Sequence, residues 1–469
     1  MQFNTLGFFV FFAICLCLYY RVPAGKNKWL MAVFGVFFYS CFSYSGLLVL
    51  GLVSLISWCG ERVLSKVQNR YLLWLFSGLT LSGLVLLKYF NVIPGFALPV
   101  GISFFTLQAV SAMGDVYRKK SVPTGLGEHV LYLSFFPTVV SGPILRKNDF
   151  LKEVKKEKVF VYEDVRRGFY RIAIGFVEKY FLADRISRLV DSVYGQPSEF
   201  GGAQIAVATI LFGLQLYYDF AGYSHMAIGF AKCFGISIME NFERPYFSCS
   251  IKEFWRRWHI SLSSWLRDYV YIPLGGSRNG TGRKYANLVI TFLVSGIWHG
   301  VGLNYLFWGF LHGFYQVVED GLFGRRKGNM GKQQEVALPV RNAAGVLFRM
   351  LAVFLLVNFA WLFFRAPDMG TAVEMVNSMV TKFQISGLFS RWWFDYGMAK
   401  VEYLMWAVVS LAVLVFDIME EKDREFLLKF EKQNTWIRWS VYTVVLCVIV
   451  FTLLIGMGSN ANSFLYQNF

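Results

Sequence analysis

Charge is scarce in this sequence. Only 16% of its 469 residues are Asp, Glu, Lys or Arg, and acidic residues number 30 against 46 basic ones. A chain that is 56% hydrophobic and 19% aromatic has too little polar surface for an ordinary soluble protein of this size. Histidine is rarer still. There are five, no two of them four residues apart, so the sequence holds no H-x-x-x-H pair for zinc. The seven cysteines (Cys15, Cys17, Cys41, Cys59, Cys233, Cys249, Cys447) are odd in number, form no C-x-x-C and lie mostly in apolar runs. They read as small buried hydrophobes, and no metal site is expected. A G-x-S-x-G elbow and a Walker A loop are both missing, which removes the serine-hydrolase and ATPase readings. No basic stripe with interleaved aromatics appears, so nucleic acid is not an expected partner.

What remains is a succession of apolar runs. The net charge of +16 is spread over the short loops between them, where it carries topology information and attraction to lipid headgroups. The first run lacks a basic n-region and reads as an uncleaved helix. Arg21, Lys26 and Lys28 place the following loop in the cytoplasm and the N-terminus outside. Residues 29–59 are too long for one crossing of about 20 residues and read as a helical hairpin. Further spans are expected near 72–89, 100–116, 129–145, 168–190, 203–234, 286–298, 303–318, 345–364, 401–416 and 436–456. The span at 129–145 is broken by Pro137 and by Ser141-Gly142-Pro143. Residues 146–167 form a mixed-charge cytoplasmic loop with a partly interfacial helix, and 366–400 a long polar loop. The reading is an all-α polytopic membrane protein: one domain over 1–469, with ten to thirteen full or partial crossings and no internal repeat.

The densest chemistry lies between Phe254 and Gly300, in FWRRWHISLSSWLRDYVYIPLGG and SGIWHG. Arg256, Arg257, Arg267 and Asp268 sit among tryptophans there. An ionisable group at mid-bilayer costs at least ~2.5–3.5 kcal/mol, so these charges line a cavity, pair within protein or lie at headgroup depth. His259 is expected on a helix face with Trp255 and Ser263, at i−4 and i+4. His299 is flanked by Gly296 and Gly300, which leave room for a substrate, and an imidazole has the right pKa for a general base. A lone intramembrane histidine is still more often a packing residue. Arg256 and Arg257 need an anionic partner, either a phosphate-bearing ligand or Glu253 or Asp268. Asp219 and His225 lie on different faces of one helix, and His312 and His129 read as structural.

Beyond single residues, the segments LPVGISFFTLQAVSAMGDVYRKK, YLSFFPTVVSGPILR, YYDFAGYSHMAIGFAKCFGISIMENFERPYFSCS and the FWRRWHISLSSWLRDYVYIPLGG block give the chain a specific likeness. It resembles the membrane-bound O-acyltransferase superfamily, in its alginate O-acetyltransferase branch, over nearly its whole length. The resemblance implies a ring of helices around a central funnel, with a catalytic core at about 200–320. It places the family's catalytic histidine on His299 and its second active-site polar residue on His259. Trp298, Ser263, Arg256 and Arg257 become candidates for the substrate or donor channel. Two departures stand out: His225 follows GYS where relatives usually carry Asp, and the closing FLYQNF is less aromatic than usual.

The activity so implied moves an acetyl group from a cytoplasmic donor, with acetyl-CoA expected as substrate and no permanently bound cofactor. The acceptor would be an extracytoplasmic polysaccharide, alginate-like or another exopolysaccharide. The setting is a bacterial cytoplasmic membrane, with an extracytoplasmic acetyltransferase or accessory subunit as partner. Peptidoglycan O-acetylation and D-alanyl transfer to teichoic acid are the alternatives within the superfamily. A transporter with His and Arg along its path is the alternative of another class, and it would call for matched broken helices in two halves.

Overall fold

The computed structural model describes residues 2–23, 25–90, 98–323, 343–423 and 425–456. Among these the secondary structure is helical, with no strand. Among the described residues six helices are long and apolar enough to cross a membrane: Tyr44–Lys66, Arg70–Lys88, Gly202–Cys233, Ala343–Arg365, Lys400–Lys422 and Thr435–Thr452. Leu6–Arg21 is a shorter apolar helix. The all-α, multi-span expectation therefore holds. The hairpin at 29–59 is present as Asn27–Ser40 and Tyr44–Lys66, turning at 41–43, where the Ser43 hydroxyl accepts the Gly46 N–H. Two expectations change. The stretch near 129–145 is helical only over Leu126–Leu133, because the prolines after it cannot continue a helix. The polar stretch 366–400 contains a helix, Met369–Thr381, capped by Asp368. Residues 324–342 and the closing SFLYQNF lie outside the described residues.

The chain folds into two compact units, each built from separate stretches of sequence. One comprises the described residues up to Phe176 together with Gly222–Asn241; the other comprises Val177–Ala221 together with the described residues from Phe242 onward. In the first, phenylalanine does most of the packing. The rings of Phe8 and Phe12 each lie 4.9 Å from Phe230, and Phe11 and Phe38 lie 5.5 and 5.7 Å from Phe136. Helix Tyr162–Phe176 approaches the Gly222–Cys233 end of the long helix along a glycine seam. A methyl on Gly175 would stand 2.3 Å from the Gly222 carbonyl oxygen, and one on Gly229 2.6 Å from that of Gly168. Without a hydrophobic force between helices in lipid, such close backbone contact supplies the attraction.

The same unit buries a polar cluster whose members are scattered in sequence. Ser57 and Glu61 stand one turn apart on helix Tyr44–Lys66. Ser57 Oγ is 2.8 Å from His129 Nε2, His129 Nδ1 is 3.4 Å from Glu61 Oε1, and Lys147 donates to Glu61 Oε2. The order serine, histidine, carboxylate imitates a hydrolytic triad. Ser57 has no exposed surface, however, and Lys147 takes the carboxylate oxygen that remains. The cluster is a structural knot of paired charges, and His129 is structural as expected. Removing one member strands the others in an apolar interior. Lys147→Met should therefore destabilise the protein by about 3–5 kcal/mol, read as a lowered unfolding midpoint in detergent. An unchanged midpoint would show that the pair contributes nothing.

Candidate active site

His259, His299, Arg256, Arg257, Ser263 and Trp298 all fall in the second unit. The chain enters the region through an irregular stretch with a single 3-10 turn, Pro245–Phe247. Ser250 then opens the short helix Ile251–Arg257, its hydroxyl accepting the Glu253 N–H at 3.0 Å. The carboxylate of Glu319, on helix Leu303–Phe323, accepts the N–H groups of Ile251 and Lys252 at 3.0 and 3.1 Å. Two of the donors that every helix leaves unpaired at its start are thereby satisfied.

The expected continuous helix does not form. Helix Ile251–Arg257 ends at Trp258, and His259 adopts a left-handed conformation (φ 43°, ψ 54°) before a second helix, Ile260–Leu266, begins. His259 therefore shares no helix face with Trp255 and Ser263; it is the joint between two helices. Packing explains the break. Successive helical residues point about 100° apart, whereas here Trp258 and His259 both turn into the core and are 1% exposed. Trp258 stacks on Phe254 at 5.4 Å and meets Trp361 at 5.1 Å; His259 stands edge-on to Phe220 at 4.6 Å. Left-handed geometry costs a residue with a side chain roughly 1–2 kcal/mol, and such strain tends to concentrate at functional sites.

His299 is the last residue of helix Gly280–His299 and is 2% exposed. Its ring lies 4.7 Å from Trp298, 5.0 Å from Trp308 and 5.2 Å from Phe364. The His259 ring lies 6.4 Å from the same Trp298. Two histidines forty residues apart in sequence thus meet around one indole. Glycine fixes His299 there: a methyl on Gly296 would stand 2.4 Å from the Tyr305 carbonyl oxygen, and one on Gly309 2.4 Å from that of Phe292.

The arginines separate. Arg257 pairs with Glu253 and Glu421, both at 2.9 Å, while Arg256 is exposed. Asp268 is engaged by Arg267 at 2.8 Å. Ser263 is half-buried, and its hydroxyl donates to the Trp258 carbonyl at 3.3 Å. His312 accepts the Trp255 indole N–H at 3.2 Å, the structural role expected of it. Cys249 sits beside the short helix, outside the spanning segments. Burial first, and then the Glu253 carboxylate, push its thiol up, which works against a nucleophilic thiolate there. Among the described residues no group of three or more His, Cys, Asp or Glu converges to hold a metal.

One set of residues near the site escaped the sequence reading. Lys179, in a π-helical turn at Val177–Ala183, donates to Asp184 at 2.6 Å and to Asp219. Asp219 directly precedes Phe220, the ring against His259. The signal was available: a lysine inside the apolar run GFVEKYFLA calls for a nearby carboxylate.

The model of the MBOAT, membrane-bound O-acyltransferase family, matches residues 41–361, more than half of the chain, and includes both histidines. The chain is a membrane-bound O-acyltransferase. A probable alginate O-acetylase of Pseudomonas aeruginosa is 34% identical to it over 402 residues, covering 80% of this chain and 74% of the relative. A peptidoglycan O-acetyltransferase of Helicobacter pylori is 29% identical, covering 80% and 76%. A teichoic acid D-alanyltransferase of Streptococcus thermophilus is 30% identical over 286 residues, covering 57% and 68%. The resemblance carried by the FWRRWHISLSSWLRDYVYIPLGG block holds, and with it the enzyme class.

Two substitutions test the geometry of this acyltransferase. Gly296→Ala should push helix Gly280–His299 off the Tyr305 carbonyl and lower activity by at least ~10-fold, because a misplacement of about 1 Å can cost that much or more. His259→Gly should be more stable than His259→Ala by ~1 kcal/mol, since glycine pays no penalty at positive φ. Equal unfolding midpoints for the two would remove the strain at the joint.

Proposed function

We propose that the protein takes an acetyl group from acetyl-CoA at the cytoplasmic face and passes it across the membrane for O-acetylation of an extracytoplasmic polysaccharide. The observation that carries this is the convergence of His259 and His299, both buried, on Trp298. His299 acts as general base. It takes the proton of an acceptor hydroxyl as the oxygen attacks the thioester carbonyl carbon, forming the new C–O bond. The tetrahedral intermediate then collapses, the C–S bond breaks, and the proton on His299 passes to the departing thiolate. The products are an acetyl ester and the free thiol. His259 donates a hydrogen bond to the carbonyl oxygen as it becomes negative, or orients the acceptor. Trp298 and Ser263 line the path. Arg256, the more exposed of the two arginines, is the candidate for the donor's phosphates.

The relatives named as alginate O-acetylase and peptidoglycan O-acetyltransferase support an acetyl group and a carbohydrate acceptor. An alginate-like exopolysaccharide is the acceptor we favour, with peptidoglycan next. The D-alanyltransferase covers less of the chain and makes that cargo the more distant alternative. The setting is the bacterial cytoplasmic membrane, with the N-terminus outside and an extracytoplasmic subunit completing transfer onto the polymer. The competing transport reading has intramembrane His and Arg lining a permeation path. Arg257 and Lys179 instead both meet carboxylates within their own unit.

Thiol release from acetyl-CoA by the protein in nanodiscs, with polysaccharide and accessory subunit supplied, tests the assignment. His299→Ala should lower kcat by about 10²–10⁴-fold and His259→Ala by about 10²–10³-fold. Turnover at the wild-type rate in His299→Ala would overturn the base assignment.

A further inference from the structure

Helix Lys400–Lys422 has no buried residue, and Val401, Leu404, Val408 and Leu411 are each about 60% exposed or more. In lipid an apolar face of this kind provides no force for docking against another helix. Its described attachments to the rest of the unit include ring contacts of Tyr403 with Trp393 and Phe394 and a polar contact between Ser410 and Tyr218, together with polar pairs at its two ends. At the start, Arg185 pairs with Glu402 at 2.9 Å and the Trp406 indole donates to the Leu182 carbonyl at 3.0 Å. At the far end, one carboxylate clamps two arginines. Glu421 Oε1 is 2.9 Å from Arg257, and Glu421 Oε2 is 2.8 Å from Arg244 Nε. Glu420 takes a second nitrogen of Arg244 at 3.0 Å.

Those two arginines bracket the segment that ends at His259. Arg244 itself stands at positive φ (47°), just before Pro245. Its neighbour Glu243 donates its N–H to the Arg257 carbonyl at 2.9 Å, so the two ends of the segment are tied to one another. Arg257 lies two residues before His259, the other strained residue of the region. Simple docking of a helix would not require its carboxylate to join both ends of one loop. We propose that Glu421, supported by Glu420, is a positioning residue: through Arg244 and Arg257 it holds the joint at His259, and hence that imidazole against Phe220 and Trp298. The catalytic consequence rests on the function proposed above; the structural one does not. Glu421 lies beyond residue 361, where the family match ends.

The test uses the full chain in nanodiscs and reads two quantities. The first is the rate at which diethyl pyrocarbonate modifies His259 relative to His299, mapped by peptide mass spectrometry. The second is kcat and KM for acetyl-CoA. Glu421→Gln should raise the His259:His299 modification ratio about tenfold, the effect on a local opening of losing a hydrogen bond to a charged group. It should also lower kcat about tenfold without changing KM. Glu421→Asp should recover part of both, and carries the test if the glutamine variant does not fold. Glu402→Gln, at the other end of the same helix, should leave the ratio and kcat unchanged. An unchanged ratio in both Glu421 variants, or equal gains at both histidines, would overturn the positioning role. A shifted ratio in a protein that transfers no acetyl group even as wild type would uphold it and overturn the proposed function instead.

Discussion

At the depth of a bilayer's hydrocarbon core, a polar group has no water to fall back on. Each charge must find its partner in protein, and each free backbone group must be satisfied within a helix or against a neighbour. This constraint accounts for the main features of both units. Glu61 meets Lys147 and His129; Lys179 meets Asp184 and Asp219; Arg257 meets Glu253 and Glu421. Where apolar surface already faces apolar lipid, packing comes from close backbone approach at glycine and from aromatic rings filling the interior. Polar pairs decide which helices stay together.

The site follows from the same rule. A short helix starting within the unit needs acceptors for its first N–H groups, and Glu319 supplies them from a neighbouring helix. The helix must also end, because Trp258 and His259 both turn inward, and the chain accepts left-handed strain at His259 to allow it. Strain of that kind persists only where surrounding contacts over-determine it. Phe220 and Trp298 meet the His259 ring, Trp361 meets the neighbouring Trp258, and Glu421 pairs with Arg257 just before the joint. His299 is placed differently, at the end of a long regular helix whose neighbour approaches through Gly296 and Gly309. One imidazole thus sits at the end of a long regular helix and the other at a joint between two short ones.

Much of this was legible in the sequence. The helical class and the six helices long and apolar enough to cross a membrane could be read because an apolar run of about 20 residues, coiled as a helix, matches the thickness of a bilayer's hydrocarbon core. His259 and His299 could be read because rare ionisable residues in such runs stand out, and the motifs around them are specific. Long-range pairing could not be read. Glu61 and Lys147 are 86 residues apart, and Arg257 and Glu421 are 164 positions apart by number; no local periodicity links such partners. The break at His259 was hidden for a related reason. Residues 251–266 have good helical spacing, and tertiary burial of adjacent rings overrides it. Sequence could show that Arg257 needed an anion, while only the fold showed that the anion belongs to the protein.

The central claim is that His259 and His299 form one acyl-transfer site around Trp298. Its most direct test is a cryo-EM structure of the protein in a nanodisc with a thioether analogue of acetyl-CoA that cannot transfer its acyl group. The account predicts the analogue's acyl carbon beside Trp298, leaving an acceptor oxygen within about 3 Å of an imidazole nitrogen of His299, with His259 on the carbonyl side. An analogue seated with its acyl end away from both histidines would contradict it.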